Sequence, residues 1–333
     1  MAKEMDLDSQ NLLEDVKKTP SMIEDAYRLG NYIKVEKPFE RIAVVGMGGS
    51  AIGGTLLKNY IESELDMPFY VFRNYNLPKF VDNKTLVFAV SYSGNTEETL
   101  GAYREARKRG CPLVAMASGG KLMNMAEGDR IPFVPIPKGM QPRSAYIYSF
   151  FPMLATLENH RLVKGQAKLV SGVINQLKKP GFEKVAKNLA EKLYEKTPII
   201  YASTKFAAVA YRWRTQINEN CKILAIHHIF PEQNHNELSG FENPQGLFHL
   251  IMLESALDHR RVQKKMKICE KIFRKTVETT VLNLKGENYL SQMFTAIYIG
   301  DLMSYYLALR YRVDPSPVKY VEELKKEMGP FIG

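Results

Sequence analysis

Cysteine is scarce in this chain of 333 residues: Cys111, Cys221 and Cys269 are the only three, far apart and never in a C-x-x-C pair. That excludes a disulfide scaffold and a zinc knuckle, and it suits a reducing cytoplasm. The histidines show no H-x-x-x-H or H-E-x-x-H spacing, so no metal site is expected; the His227-His228 pair follows an apolar run and reads as sheet core or edge. Long apolar runs are also missing. The most apolar segment, Leu290 to Leu309, is interrupted by Gln292 and Asp301, which predicts a buried helix and no membrane partner. Met1 to Asp6 lacks the apolar core of a secretory signal, again as expected of a cytoplasmic protein. What is present is ordinary globular composition, 45% apolar and 25% charged.

The net charge of +10 raises the question of nucleic acid. The densest basic run is Arg260, Arg261, Lys264, Lys265, Lys267, Lys271, Arg274 and Lys275. Within it Val262, Met266, Cys269 and Phe273 recur at helical spacing, so the cations form the wet face of an amphipathic helix. No aromatic residue interleaves that face as a stacking platform would require, and no nucleic-acid partner is expected.

Along the chain, residues 8–30 read as lead-in helix, broken near Pro20. Apolar strands are then predicted at Arg41–Val45, Pro68–Phe72, Thr85–Val90, Pro112–Ala117 and Ile131–Ile136, with helices at Ala51–Ile61 and Thr96–Arg109. A helix over Gln141–His160 leads to a boundary region, Lys164 to Gly181. The alternation then resumes, with strands at Pro198–Ala202, Lys222–Ile226, Leu247–Leu253 and Val277–Leu284. Helices are predicted at Phe182–Lys196, Thr204–Asn220, Phe230–Ser239, Asp258–Lys275, Glu287–Arg310 and Pro315–Met328. The fold class is therefore α/β, two domains (1–160 and 161–333), each a parallel sheet flanked by helices, with ligands at the strands' carboxyl ends.

Two strand-to-helix turns carry chemistry. Ser91-Tyr92-Ser93-Gly94-Asn95-Thr96 follows an apolar strand and puts three hydroxyls and a glycine at a helix N-terminus, where free N–H groups suit a phosphate. A plain helix cap is the alternative. Gly46-Met47-Gly48-Gly49-Ser50-Ala51 matches the dinucleotide fingerprint, but the second strand ends in Phe72-Arg73-Asn74 without the acid that an NAD ribose needs. An NADP-dependent oxidoreductase stays open through Arg73. In the other reading Ser50 supplies one more hydroxyl beside the first turn, so that two loops converge on one phosphate.

Acid–base candidates come later. Glu219, in Asn218-Glu219-Asn220, falls at a helix C-terminus, where the dipole disfavours a negative charge and a base that takes up a proton is well placed. His235, in Asn234-His235-Asn236-Glu237, is a polar-flanked imidazole of the kind that serves as an acid or base. Arg143, in Gln141-Pro142-Arg143, stands at a helix start and is awkward there unless an anion is present. Asp314-Pro315-Ser316-Pro317 opens the last helix, which carries Lys325. Each of these also has an ordinary surface or capping explanation.

Taken in order, these motifs resemble the bifunctional phosphoglucose/phosphomannose isomerases of archaea and some bacteria, over about residues 41–325. The resemblance implies two sugar-isomerase (SIS) domains, a cytoplasmic homodimer, no cofactor or metal, and interconversion of glucose, mannose and fructose 6-phosphates. By motif it puts the phosphate on Gly48, Gly49, Ser50, Ser91, Ser93 and Thr96. It makes Glu219 the base between C1 and C2, Arg143 the enediolate partner, and His235, reaching in from the partner subunit, the ring opener. Lys325 would assist near the ring oxygen, with Lys319 and Lys326 as alternatives. Ser316 stands where a threonine is common, at a position implicated in accepting the mannose epimer; Ala51 replaces a frequent glycine. A non-catalytic sugar-phosphate regulator remains the contrasting class, and would not need Glu219, His235 and Arg143 together.

Overall fold

The computed structural model describes residues 7–329. Two helices lead in, α1 (Leu12–Lys17) and α2 (Thr19–Gly30). The break between them falls at Lys18; Pro20 sits in the first turn of α2, where a missing N–H costs nothing. Then come β1 (Arg41–Val45), α3 (Gly48–Ile61), β2 (Phe69–Phe72), β3 (Thr85–Val90) and α4 (Glu97–Lys108). They are followed by β4 (Leu113–Ala117), α5 (Gly120–Gly128), β5 (Phe133–Pro135) and α6 (Ile147–Asn159). The sheet is wholly parallel, in the order β2-β1-β3-β4-β5. β3 and β4 are buried along their whole length, as central strands covered on both faces must be. Short, proline-flanked β5 lies at the edge.

The second half contains α7 (Ala167–Leu177), α8 (Phe182–Leu193), β6 (Thr197–Ser203), α9 (Ala207–Gln216), β7 (Ile226–Phe230) and the single turn α10 (Glu237–Gly240). β8 (Phe248–Glu254), α11 (Arg260–Phe273), β9 (Glu278–Asn283), α12 (Tyr289–Arg310) and α13 (Lys319–Met328) complete it. Its sheet is also parallel, in the order β7-β6-β8-β9. One compact unit comprises Ser21–Val170 with the described residues from Lys319. The other comprises the described residues up to Pro20 with Ser171–Val318. The two end segments are thus exchanged relative to a single cut between residues 160 and 161.

Several elements differ from the sequence expectation. The strand expected at Lys222–Ile226 is displaced to Ile226–Phe230, an edge strand whose histidines hid the apolar pattern. The helix expected from Phe230 is a 3₁₀ turn (Glu232–His235) followed by α10. α5 was not expected at all. The helix expected from Gln141 begins only at Ile147, because residues 141–146 turn across α3: a Cβ on Gly49 would lie 2.7 Å from the Pro142 carbonyl oxygen. The amphipathic basic helix is present as α11, with Met266, Cys269 and Phe273 buried. All three cysteines are buried thiols. Among the described residues no helix is long and apolar enough to cross a membrane.

The apolar segment is α12, buried along most of its length, and its interruptions are anchors. Asp301 accepts a hydrogen bond from Arg212 of α9 at 2.8 Å, both side chains being almost wholly excluded from solvent. Trp213 Nε1 donates to the Ala296 carbonyl at 2.9 Å, and its indole lies so close to Gly300 that a Cβ there would meet it at 2.3 Å. Substituting Asp301→Ala removes one partner of a buried ion pair, and we expect a loss of about 3–5 kcal/mol in urea unfolding. Replacing both partners by apolar residues of similar volume should recover most of that loss.

Candidate active site

In a sheet of order 2-1-3-4-5 the strand order reverses between β1 and β3, and ligands gather where the loops after these strands diverge. Both suspected turns lie there. The loops touch: the Tyr92 N–H donates to Ser50 Oγ at 3.1 Å. Contact this close requires missing side chains. A Cβ on Gly46 would sit 2.8 Å from the Val90 carbonyl oxygen, and Gly94, at φ +70°, would carry its Cβ 1.8 Å from the Gly119 carbonyl oxygen.

Within the second loop the hydroxyls divide their work. Ser91 is fully buried; its Oγ accepts from the amides of Gly94 (3.1 Å) and Thr96 (3.4 Å) and shares a hydrogen bond with Thr96 Oγ1 (2.8 Å). It fixes the turn. Ser93 is exposed, with Oγ accepting from the Asn95 amide at 3.2 Å, and Thr96 is half-buried. A third loop, after β4, clips this turn in place. There Leu122 N–H donates to the Gly94 carbonyl (2.9 Å), Lys121 N–H to Asn95 Oδ1 (3.0 Å), and Ser118 Oγ to the Tyr92 carbonyl (2.7 Å).

The first amides of α5 are therefore spent on the clip. Those of α3 and α4 are not: among the described residues no side chain caps either helix. Two helix dipoles thus present their positive ends at the reversal point, offset in part by Glu97 and Glu98 in the first turn of α4. Arg143 adds a buried guanidinium beside them, its Cα 3.0 Å from where a Gly49 Cβ would stand. Its Nη1 donates to Gln141 Oε1 at 3.1 Å. Gly48, Gly49, Ser50, Ser93, Thr96 and Arg143 so form one electropositive hollow of a kind that takes a dianion. Arg73, the residue that kept a dinucleotide reading open, bonds to Thr55 Oγ1 instead.

In the other unit Glu219 is half-buried on a π-helical turn, Ile217–Cys221, that continues α9. Such turns are rare and frequent at functional positions. The flanking asparagines hold it. Asn218 Oδ1 accepts from the Ala225 amide (3.0 Å), and Asn220 Nδ2 donates to Ser304 Oγ on α12 (2.9 Å). Lys222, at φ +60°, closes the turn, its ammonium donating to the carbonyls of Glu219 and Pro315 (3.2 Å to the latter). The Glu219 turn is thereby tied to the segment bearing Ser316. The Ser316 amide is held by Asp314 Oδ1 (2.9 Å), and its Oγ lies 3.4 Å from Asp8 Oδ1, which also caps α1.

His235 is exposed at the end of its 3₁₀ turn, while its neighbours are anchored. Gln233 is fully buried. Glu237 accepts from Tyr201 (2.5 Å) and pairs with His228 Nδ1 (2.9 Å). His227 stands apart from this pair, edge-on to Tyr211, and burial together with the Arg214 charge pushes its imidazole down to about 4. Lys325 is exposed on α13, as are Lys319 and Lys326. The strand order of the second sheet also reverses, between β6 and β8, but there the serine hydroxyl is already taken. Ser203 Oγ donates to the buried Asp258 carboxylate at 2.6 Å, and α11 is capped by His259. Asp258 would repel an anion there. No local pattern signals this difference, since Ser203 and Thr204 look as suitable as Ser91 and Ser93.

Two parallel sheets of this topology, one with an electropositive hollow at its reversal point, define the class of SIS-domain proteins. Residues 37–155 match the SIS domain, and residues 182–328 match the bacterial phospho-glucose isomerase C-terminal SIS domain. The solved tagatose-6-phosphate ketose/aldose isomerase from Escherichia coli shares the fold, with a TM-score of 0.69 over 92% of this chain and 95% of that one at 15% identity. A bifunctional phosphoglucose/phosphomannose isomerase from Caldicellulosiruptor bescii is 39% identical over 96% of this chain and 99% of its own length. One from Thermoplasma volcanium is 35% identical over 92% and 97%. This chain belongs to the bifunctional phosphoglucose/phosphomannose isomerase family. Because the hollow depends on backbone contact, Gly94→Ala should weaken inorganic phosphate binding about tenfold or more in calorimetric titration, with the far-ultraviolet dichroism unchanged.

Proposed function

We propose that this chain interconverts glucose 6-phosphate, mannose 6-phosphate and fructose 6-phosphate by proton transfer between C1 and C2 through an enediolate. The observation that carries the reading is the double-loop hollow at the first sheet's reversal point, joined by the Ser50–Tyr92 hydrogen bond. Ser50, Ser93, Thr96 and the amides of Gly48 and Gly49 hold the 6-phosphate, and Ser91 keeps the loop in shape. Glu219 is the base. Proton transfer next to a carbonyl needs a carboxylate and a cation for the developing oxyanion, and Arg143 supplies the second. Oxidation at one carbon balances reduction at its neighbour, so no redox cofactor enters. One base serves both aldoses if the enediolate rotates about C2–C3 before reprotonation on its other face.

His235 opens the sugar ring in the site of a partner subunit, and Lys325 assists near the ring oxygen. Two features support a homodimer: the exposure of His235, and the exposed apolar residues Tyr320, Leu324 and Met328 on α13. Ser316, on the segment that Lys222 ties to the Glu219 turn, bears on acceptance of the mannose epimer. Buried free thiols fit a cytoplasmic enzyme.

A coupled assay in EDTA with each aldose phosphate tests the reading; turnover of both should persist without metal. In that assay Glu219→Gln should lower kcat by about a thousandfold, with sugar-phosphate binding near normal. Wild-type turnover in the variant removes Glu219 from the base role. Ser93→Ala should instead raise KM about tenfold and leave kcat within about twofold, and a loss confined to kcat contradicts a phosphate contact.

A further inference from the structure

We propose that the second sheet carries a separate anion site at its amino-terminal edge, built to take a compact, non-aromatic polyanion such as a diphosphate. A pocket of about 660 Å³ opens where β8 and β9 begin and α11 ends, lined by Lys192, His249, Arg274, Lys275, Glu278 and Thr280 among others. It lies at the opposite strand ends from Ser203 and Glu254, and so away from that sheet's carboxyl edge.

Cations near a helix C-terminus ordinarily serve the dipole and the last carbonyls. Here those carbonyls are already served by backbone. The Glu270 carbonyl accepts from the Arg274 amide, and that of Phe273 from the amides of Thr276 and Val277. Among the described residues the ammonium groups of Lys192 and Lys275 enter no hydrogen bond or ion pair, so their charge is not consumed locally. The acids nearby are spoken for: Glu278 pairs with Lys196 (2.7 Å) and Glu270 with Arg274 (2.8 Å).

The floor is the telling part. His249 is 2% exposed, yet Nδ1 makes no hydrogen bond, and the Glu278 Oε2 that lies 3.4 Å away is itself held by Lys196 at 2.7 Å. Nε2 is held by Thr280 Oγ1 at 2.9 Å, which orients the ring. Burial, reinforced by Lys196 and Lys192, pushes this imidazole down to about 4, so near neutrality it is an uncharged group with one ring nitrogen to spare. A buried polar atom without a partner normally finds one, and a ligand oxygen in this pocket would provide it. No Phe, Tyr or Trp ring lines the pocket as a stacking platform, which disfavours a nucleoside and favours a ligand that is nearly all charge.

Calorimetric titration of pyrophosphate into the full chain tests this independently of catalysis. Two sites per chain are expected in the wild type, one of them the catalytic hollow. The Lys192→Ala/Lys275→Ala variant should lose one site and keep its isomerase kcat; Ser93→Ala should weaken the other. A single site in the wild type overturns the proposal, as does a double variant that still binds two. Equal loss in Lys264→Ala/Lys271→Ala, on the same basic helix but outside the pocket, would reduce the effect to general charge and also overturn it. A clear preference for ATP over pyrophosphate would overturn the assignment to a compact, non-aromatic anion. Failure here leaves the reading of Glu219 and the hollow untouched, because those are tested by turnover.

Discussion

Backbone must touch backbone at the carboxyl edge of the first sheet, and the site in that unit follows from this constraint. Gly46 lies against the carbonyl of Val90, Gly94 against that of Gly119, and Gly120 against that of Ser93, at separations no side chain would allow. Only then do the loops after β1 and β3 come near enough for Ser50 to accept from Tyr92. The same closeness leaves the amides at the starts of α3 and α4 without side-chain caps, so the positive ends of two helices face one small volume. Arg143 is held beside them by a turn that rests on Gly49. The meeting of these helix ends is thus a consequence of packing, with hydroxyls added to it.

The second unit uses a different device to hold one carboxylate. A buried ion pair, Arg212 with Asp301, and the Trp213–Ala296 hydrogen bond dock α9 on α12. The chain then leaves α9 through a π turn instead of ending cleanly. Asn218, Asn220 and Lys222 fasten that turn at three points, and Glu219 is carried between them. The same division recurs around His235, where buried Gln233 and twice-bonded Glu237 anchor the chain and the histidine is left outside. In both motifs the residues around the candidate group do the structural work.

This division explains what could be read in advance. The parallel α/β class, the central strands and the basic amphipathic helix were legible, because apolar runs and helical periodicity report burial directly. Strand β7 was misplaced by four residues: His227 and His228 broke the apolar pattern, and edge position tolerates that. The Glu232–Gly240 stretch looked helical from composition, but anchoring at Gln233 and Glu237 splits it into a 3₁₀ turn and a single helical turn. The two end segments group with the halves opposite to those their sequence position suggests, and nothing in local pattern encodes that.

By itself the sequence determined the chemistry at hand: which loops carry glycine and hydroxyl, where a carboxylate, a histidine and an arginine stand, and to which family that order belongs. Only the tertiary structure decided how those groups are used. Ser91 and Ser93 are two residues apart and chemically identical, yet one is sealed inside the loop and the other exposed. Ser203 sits at the end of a strand much as Ser91 does, but Asp258, fifty-five positions on, occupies its hydroxyl and shuts that edge to anions. The reason is physical. Residue type sets what a group can donate or accept, whereas burial and partners, which come from distant parts of the chain, set what remains for a ligand.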